Sequence, residues 1–339
     1  MRNVVYLLGA GFSAPLGLPT ISTFYWKAKD LYESDRKKFA HFSKSFDLMD
    51  SFGRLKTFMK ADLENIEETL SILEMADVLS SEPMSQPFSN FISDVIVAYT
   101  PDIPAPEKIQ DEDIEPRIPR FFGNNPLLSS YCIFVAQLLA LRPPRKVNGK
   151  WTLERGEPFA HYSVVNLNYD RVLETACDYI QKHYRQKPPL RFSDPTSKIQ
   201  ATATDVMLAK LHGSVITEIV PPTWNKKIHQ GILPAWRAAF TAVAKANELR
   251  FIGYSLPETD SYFRYFLKAA ISNSFNLQRV DVLCSGNVQN RYQQLFESTR
   301  LHLNVARTEE YLNQLANHSK AGATDALEQA HRKFFPRRS

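Results

Sequence analysis

The chain has 339 residues, of which 44% are hydrophobic and 23% charged, with a formal net charge of +5. That length suits a full α/β domain plus a second lobe, and that balance excludes a disordered chain. The charge is only mildly basic, and its Lys and Arg are scattered apart from Arg142-Pro143-Pro144-Arg145-Lys146 and a tail through Arg332, Lys333, Arg337 and Arg338, so direct nucleic-acid binding is not expected.

The first apolar run, Val4-Val5-Tyr6-Leu7-Leu8, follows Met1 too closely for a signal peptide, and it reads as a strand buried on both faces. It breaks into Gly9-Ala10-Gly11-Phe12-Ser13, where glycines permit positive φ and close approach to a ligand, and Ala14 completes a loose G-x-G-x-x-A pattern. Ile21 to Tyr32 reads as a helix. From there to about residue 150 the pattern is helical without a convincing strand. Leu63, Ile66, Leu70 and Leu73 form one apolar stripe, and Phe88, Phe91, Ile92, Val95 and Tyr99 form another. Prolines 101, 104 and 106 with Asp111-Glu112-Asp113 mark a loop. Leu127 to Leu141 is shorter than the roughly 20 residues a membrane span needs and carries Ser129, Ser130 and Gln137, so it reads as a buried core helix.

Strands resume at Ser163–Leu167, Val206–Leu211, Arg250–Ile252, Arg279–Cys284 and the alternating Leu301, Leu303 and Val305, with helices between and two more from about Glu309 and Ala323. Strands alternating with helices imply a parallel sheet, in which ligands bind beyond the carboxyl ends of the strands. Gly9 to Ser13, Asn168-Tyr169-Asp170, His212, Gly253 to Ser255 and Ser285 to Asn287 all follow strand ends. They should converge on one crevice. Cys132, Cys177 and Cys284 are far apart in apolar contexts, as packed thiols of a reducing cytoplasm, and the chain has no Cys-x-x-Cys or His-x-x-x-His pair to suggest a metal site.

Gly9-Ala10-Gly11-Phe12-Ser13 with Gly17-Leu18-Pro19, then Asn168-Tyr169-Asp170, Leu211-His212-Gly213 and Gly253-Tyr254-Ser255-Leu256 resemble, in order, the NAD-binding motifs of sirtuins. Pro221-Pro222-Thr223-Trp224 and the run from Gly253 to Asp260 resemble the divergent branch found in bacterial anti-phage defence proteins. The resemblance implies a Rossmann-like, doubly wound, mostly parallel α/β sheet with an inserted helical lobe and no zinc ribbon. Its boundaries would be an NAD-binding domain over 1–26 and 160–307, the lobe over 27–159, and C-terminal helices with a basic tail over 308–339.

The resemblance further implies NAD as substrate and no metal. Gly9, Ala10, Gly11 and Ser13 would cradle the diphosphate beside Pro19, and Gly253 and Ser255 would meet a phosphate or ribose from the far side. Ser285 and Asn287 would contact the adenine ribose. Asn168 can hold a ribose hydroxyl or the attacking water, Asp170 can accept from the carboxamide, and His212 titrates near working pH and can take a proton. Asp170 can equally be a helix cap, and Asn166 competes with Asn168 for the amide role.

Deacylating sirtuins differ in carrying a four-cysteine zinc ribbon, a Phe-Arg pair where this chain has Thr20-Ile21-Ser22, and a Phe-Gly-Glu-like peptide-binding segment. With no peptide groove expected, water becomes the acceptor. The reading is therefore an NAD glycohydrolase, a defence effector that works as a homo-oligomer or with a partner such as a HerA-type ATPase-helicase or an Argonaute-type protein. The alternatives are a module that holds NAD or ADP-ribose without turnover and, behind it, a protein deacylase or ADP-ribosyltransferase.

Overall fold

The computed structural model describes the chain apart from residues 53–64, 81–83, 104–124, 143–144, 148–149, 185–188, 203–204, 222–229, 259 and 338–339. Its described strands are β1 (Asn3–Leu8), β2 (Arg145–Val147), β3 (Lys150–Thr152), β4 (His161–Asn166), β5 (Phe192–Ser193), β6 (Val206–Lys210), β7 (Glu248–Ile252), β8 (Arg279–Leu283) and β9 (Leu301–Asn304). Seven of them form one sheet in the order β5-β6-β4-β1-β7-β8-β9, with every pairing parallel. This is the doubly wound order with one short strand added at an edge, and the chain reverses direction across the sheet at β1.

β1 takes the centre because Val4 to Leu8 are apolar on both faces, and none of the five is more than 1% exposed. Successive side chains alternate. Val4, Tyr6 and Leu8 join a core with the helices Pro126–Leu138, Val172–Tyr184, Thr308–Lys320 and Ala326–Phe334. Val5 and Leu7 join the opposite core with the helices Leu233–Ala244, Ser261–Ser272 and Gln289–Gln293. The helix Pro126–Leu138 is buried at every residue from Leu128 onward, as its apolar sequence anticipates.

Register decides where the loops go. Leu8 lies opposite Asn166 and Ile252, Asn166 opposite Lys210, and Ile252 opposite Leu283. Five neighbouring strands therefore end on one line, and their following loops open on the same side. Helices Ile21–Ser34, Phe42–Ser51 and Ser85–Tyr99 pack together through Phe24, Phe42, Phe46 and Phe91, and the helix Ile66–Leu79 joins them in the first core through Ile66, Leu70 and Leu73. Of the stripe of Phe88, Phe91, Ile92, Val95 and Tyr99, the first four are buried as expected and Tyr99 is half-buried. Leu63, Pro104, Pro106 and Asp111 to Asp113 lie outside the described residues.

Three strands escape the sequence reading. The hairpin of β2 and β3 falls in a stretch read as helical, although Asn148-Gly149 between the two short runs is a strong hairpin signal. β5 is two residues long and pairs only with β6, too short to show a period.

Under the C-terminal helices the sheet is charged. Arg250, 1% exposed, donates to both carboxylate oxygens of Glu328 at 2.8 and 2.9 Å, to Glu248 at 2.7 Å and to the Tyr6 hydroxyl at 2.9 Å. Tyr162 donates to Glu328 at 2.6 Å, and Arg2 does the same from the chain start. Burial alone would push the Glu328 carboxyl up, but the guanidinium of Arg250 and its hydrogen bonds hold it down at about 2. A depressed carboxyl contributes stability that is present above its ordinary value of 4.5 and is lost as the pH falls toward about 2. Glu328→Ala should strip Arg250 of its bidentate partner and cost about 3–5 kcal/mol in denaturant melts at neutral pH. Wild-type stability should decline between those two pH values. A variant as stable as wild type would show that the network holds no helix in place.

Candidate active site

The five loops enclose a cleft of about 650 Å³ beyond the carboxyl ends of the strands, a volume suited to a cofactor-sized ligand. Gly9, Ala10, Gly11, Pro19, Asn168, Asp170, His212, Gly253, Ser255 and Ser285 all line it. Ser13 sits behind the wall, 1% exposed, and Asn287 is exposed outside the cleft. The opposite wall comes from Thr20, Ile21 and Ser22 and from Asn65, Ile66, Glu67 and Ile96 of the helical segment. The sequence reading assigns none of these wall residues to the site.

The glycines work differently from the expectation. Gly9 is extended (φ −108°, ψ 179°), and Gly11 lies in the short helix Ala10–Ser13, so neither uses positive φ. They are small because the loop after β7 presses on them. A Cβ on Gly9 would fall 2.6 Å from the Tyr254 Cα, and one on Gly11 would fall 2.7 Å from the Gly253 carbonyl oxygen. Gly253 does need its φ of +65°, and a Cβ there would fall 2.2 Å from the Phe12 nitrogen. The amides of Gly9, Gly11 and Phe12 donate to the carbonyls of Ile252, Gly253 and Gly9. The phosphate cradle expected from this loop is thereby narrowed, since those three N–H groups are already used.

Asn168 is 6% exposed and ties two loops together. Its amide nitrogen donates to the Gly9 carbonyl at 2.9 Å and lies 3.5 Å from the Ser13 hydroxyl, and its own N–H donates to Asn166 Oδ1 at 3.0 Å. Asn166 thus supports Asn168 from behind. With the nitrogen committed, the amide oxygen is the atom Asn168 offers a ligand. Asp170 accepts the Val172 N–H at 3.0 Å, so it does cap the following helix, and it also accepts from Ser13. Burial pushes its carboxyl up, opposed by the charge of Lys210. Ser13 therefore links Asn168 and Asp170 from behind the wall of the cleft.

His212, 2% exposed, stands at the root of a tight turn in which Val220 N–H donates to its carbonyl at 2.8 Å and Gly213 takes φ +74°. A Cβ on Gly213 would fall 1.7 Å from the Glu218 carbonyl oxygen, so the turn demands glycine. The imidazole is walled by Trp236, edge to face with centroids 6.2 Å apart, and by Tyr169 at 6.3 Å. Its Nε2 lies 3.8 Å from Asp260 Oδ2. Asp260 lines the cleft and is 2% exposed, and the motif running from Gly253 to Asp260 is the signal that contains it. Among the described residues no group of three or more His, Cys, Asp or Glu is placed to hold a metal ion.

The family model of the SIR2-like domain matches residues 162–303, from β4 into β9. No curated protein matches the chain. Solved structures that are similar include Sir2 in complex with the inhibitor EX-527, 2′-O-acetyl-ADP-ribose and a deacetylated p53 peptide, at 12% identity and a TM-score of 0.34, covering 94% of each chain. Another is Sir2Tm bound to a propionylated peptide, at 13% identity and a TM-score of 0.35, covering 94% of this chain and 93% of that one. Similarity at that level carries no inference about chemistry. No described helix is long and apolar enough to cross a membrane. Pro222, Thr223, Trp224 and Thr259 of the sequence motifs lie outside the described residues.

Gly11→Val should act first on the fold, because its branched side chain meets the Gly253 backbone and not open cleft. Overpacking of this kind costs about 1–3 kcal/mol, and thermal melts should show it in the absence of any ligand. An unchanged melt with lost ligand binding would return Gly11 to the cradle.

Proposed function

We propose that the chain is an NAD glycohydrolase, cleaving the bond between nicotinamide and ribose to give nicotinamide and ADP-ribose. The observation that supports this most is the meeting of Asn168, Asp170 and His212 in one cleft beside the glycine loop of β1. NAD brings its own cationic leaving group, so the protein has mainly to bind, orient and accept a proton. The diphosphate would lie on the loop from Gly9 to Gly11, with Ala10 N–H toward it, and the adenosine half would lie toward Ser255 and Ser285. Asp170 would pair with the carboxamide. The fixed Asn168 oxygen would accept from a ribose hydroxyl or from the attacking water.

As the water oxygen bonds to C1′, the bond from C1′ to the pyridinium nitrogen breaks and its electron pair leaves with nicotinamide, now neutral. The proton released by water passes to His212. The resemblance to the defence branch extends the reading to an NAD-depleting effector of a bacterial anti-phage system, acting in the cytoplasm as a homo-oligomer or under a partner of the ATPase-helicase or Argonaute type. The second reading, a module that holds NAD without turnover, draws on the structural bonds that Asn168 and Asp170 already make.

Purified chain incubated with NAD, alone and with candidate neighbouring proteins, should release nicotinamide, and His212→Ala should lower that rate about 100- to 10,000-fold. Binding without release under every condition would select the second reading. Asn168→Ala should lose turnover with little change in NAD affinity, because the amide oxygen acts mainly in the transition state. Asp170→Asn can still cap the helix, so its melt should hold while affinity and turnover fall together. A silent Asp170→Asn in steady-state kinetics would reduce that residue to its cap.

A further inference from the structure

We infer that Asp260 is a positioning residue for His212, holding the imidazole ready to take a proton, and that Tyr254 holds Asp260 in that role. The catalytic consequence rests on the glycohydrolase reading, whereas the pairing itself stands on geometry. His212 follows β6, Tyr254 follows β7, and Asp260 stands at the start of the helix Ser261–Ser272, and all three reach the same cleft. The side chains of His212 and Asp260 are each 3% exposed, with Nε2 and Oδ2 3.8 Å apart. That separation is beyond a hydrogen bond but within an ion pair, and the dry surroundings strengthen the attraction between a carboxylate and an imidazolium.

The carboxylate is fixed at both ends. Its Oδ2 accepts the Tyr254 hydroxyl at 2.6 Å, and its Oδ1 accepts the Phe263 amide at 3.2 Å. Burial, and then the charge of Asp260, push the Tyr254 phenol well above its usual range, so Tyr254 remains a donor. The imidazole is fixed as well: Trp236, anchored by its indole N–H on the Leu211 carbonyl at 2.9 Å, closes one side and Tyr169 another. When water attacks C1′ and its proton moves to His212, the positive charge appears opposite a carboxylate that does not have to move. A helix cap alone needs neither the Tyr254 bond nor a place in the cleft.

The test compares Asp260→Asn and Asp260→Ser with wild type in the full chain. Both substitutes cap helices well and carry no charge. The His212 ring resonances are followed by NMR against pH and assigned with His212→Gln, alongside kcat, KM and thermal melts. Among the described residues, the other titratable groups that line the same cleft are Tyr254 after β7, Tyr169 and Asp170 after β4, Cys284 after β8 and Glu67 of the helix Ile66–Leu79, and they are left in place. Removing a neighbouring negative charge disfavours the imidazolium. In both variants His212 should therefore titrate at a pH lower by about one unit, the acid limb of kcat should move with it, and kcat should fall about 10- to 100-fold, with KM within about threefold. His212 titrating at the wild-type pH in either folded variant would overturn the inference, and so would failure of both to fold, which would leave Asp260 a structural cap. If wild type releases no nicotinamide, the glycohydrolase reading fails separately, and the resonances alone decide the pairing.

Discussion

The contact on which the site depends is the backbone-to-backbone meeting of the loops after β1 and β7. Gly11 and Gly253 approach so closely that neither tolerates a Cβ, and the Gly11 amide donates to the Gly253 carbonyl at 2.9 Å. The carbonyls of the same short loop are then claimed from three distant segments. Asn168 takes Gly9, Thr308 takes Gly11 at 2.8 Å, and Tyr131 takes Phe12. Each bond satisfies a buried polar group that would otherwise cost about 1–3 kcal/mol. Together they set the loop against β4, the helix Pro126–Leu138 and the helix Thr308–Lys320.

That junction would be of little use on a sheet free to shift, and the charged network on the first face opposes such movement. Arg250 sits two residues before Ile252, whose carbonyl receives the Gly9 amide at 3.2 Å. The ion pair to Glu328 holds β7 to the helix Ala326–Phe334, the pair to Glu248 within β7 fixes the guanidinium, and Arg2 joins the first strand to the Glu328 carboxylate. A buried pair of this kind is weak evidence for net stability, since two desolvated charges are expensive. Its value lies in direction: bidentate geometry admits one placement of the helix over the strand.

What the sequence makes legible follows from the same physics. Strand ends are readable because apolar runs stop abruptly at small or amide residues, and parallel pairing then brings distant stops to one line, so Asn168, Asp170 and His212 could be placed in one cleft. Less legible is why the glycines are glycines. Positive φ and close packing leave the same letter, and only the neighbouring loop shows that Gly9 and Gly11 are small for Tyr254 and Gly253 while Gly253 is strained. Asp260 hides for a related reason: its motif marks it, but the imidazole it faces comes from another strand. Glu248, Arg250 and Glu328 look like an ordinary mixture of charges along the chain, because their match exists only once a helix from the C-terminus lies on β7. The helix wall of Asn65 and Glu67 has no local signal at all.

The tied side chains bear on how such a cleft could favour a transition state. Asn168 has its nitrogen pinned to Gly9, so its oxygen points one way without an entropy cost when a ligand arrives. Asp170 is held by Ser13 and the Val172 amide, and His212 by two aromatic walls. A site whose polar atoms are fixed before binding spends little binding energy on reorganisation, and it stabilises charge that appears later at defined points. The structural bonds of Asn168 and Asp170 are therefore no argument against a chemical role. In a buried site the bond that would orient a catalytic group and the bond that holds two loops together can be the same bond, and the Asn168 bond to Gly9 both ties two loops and fixes where the amide oxygen points.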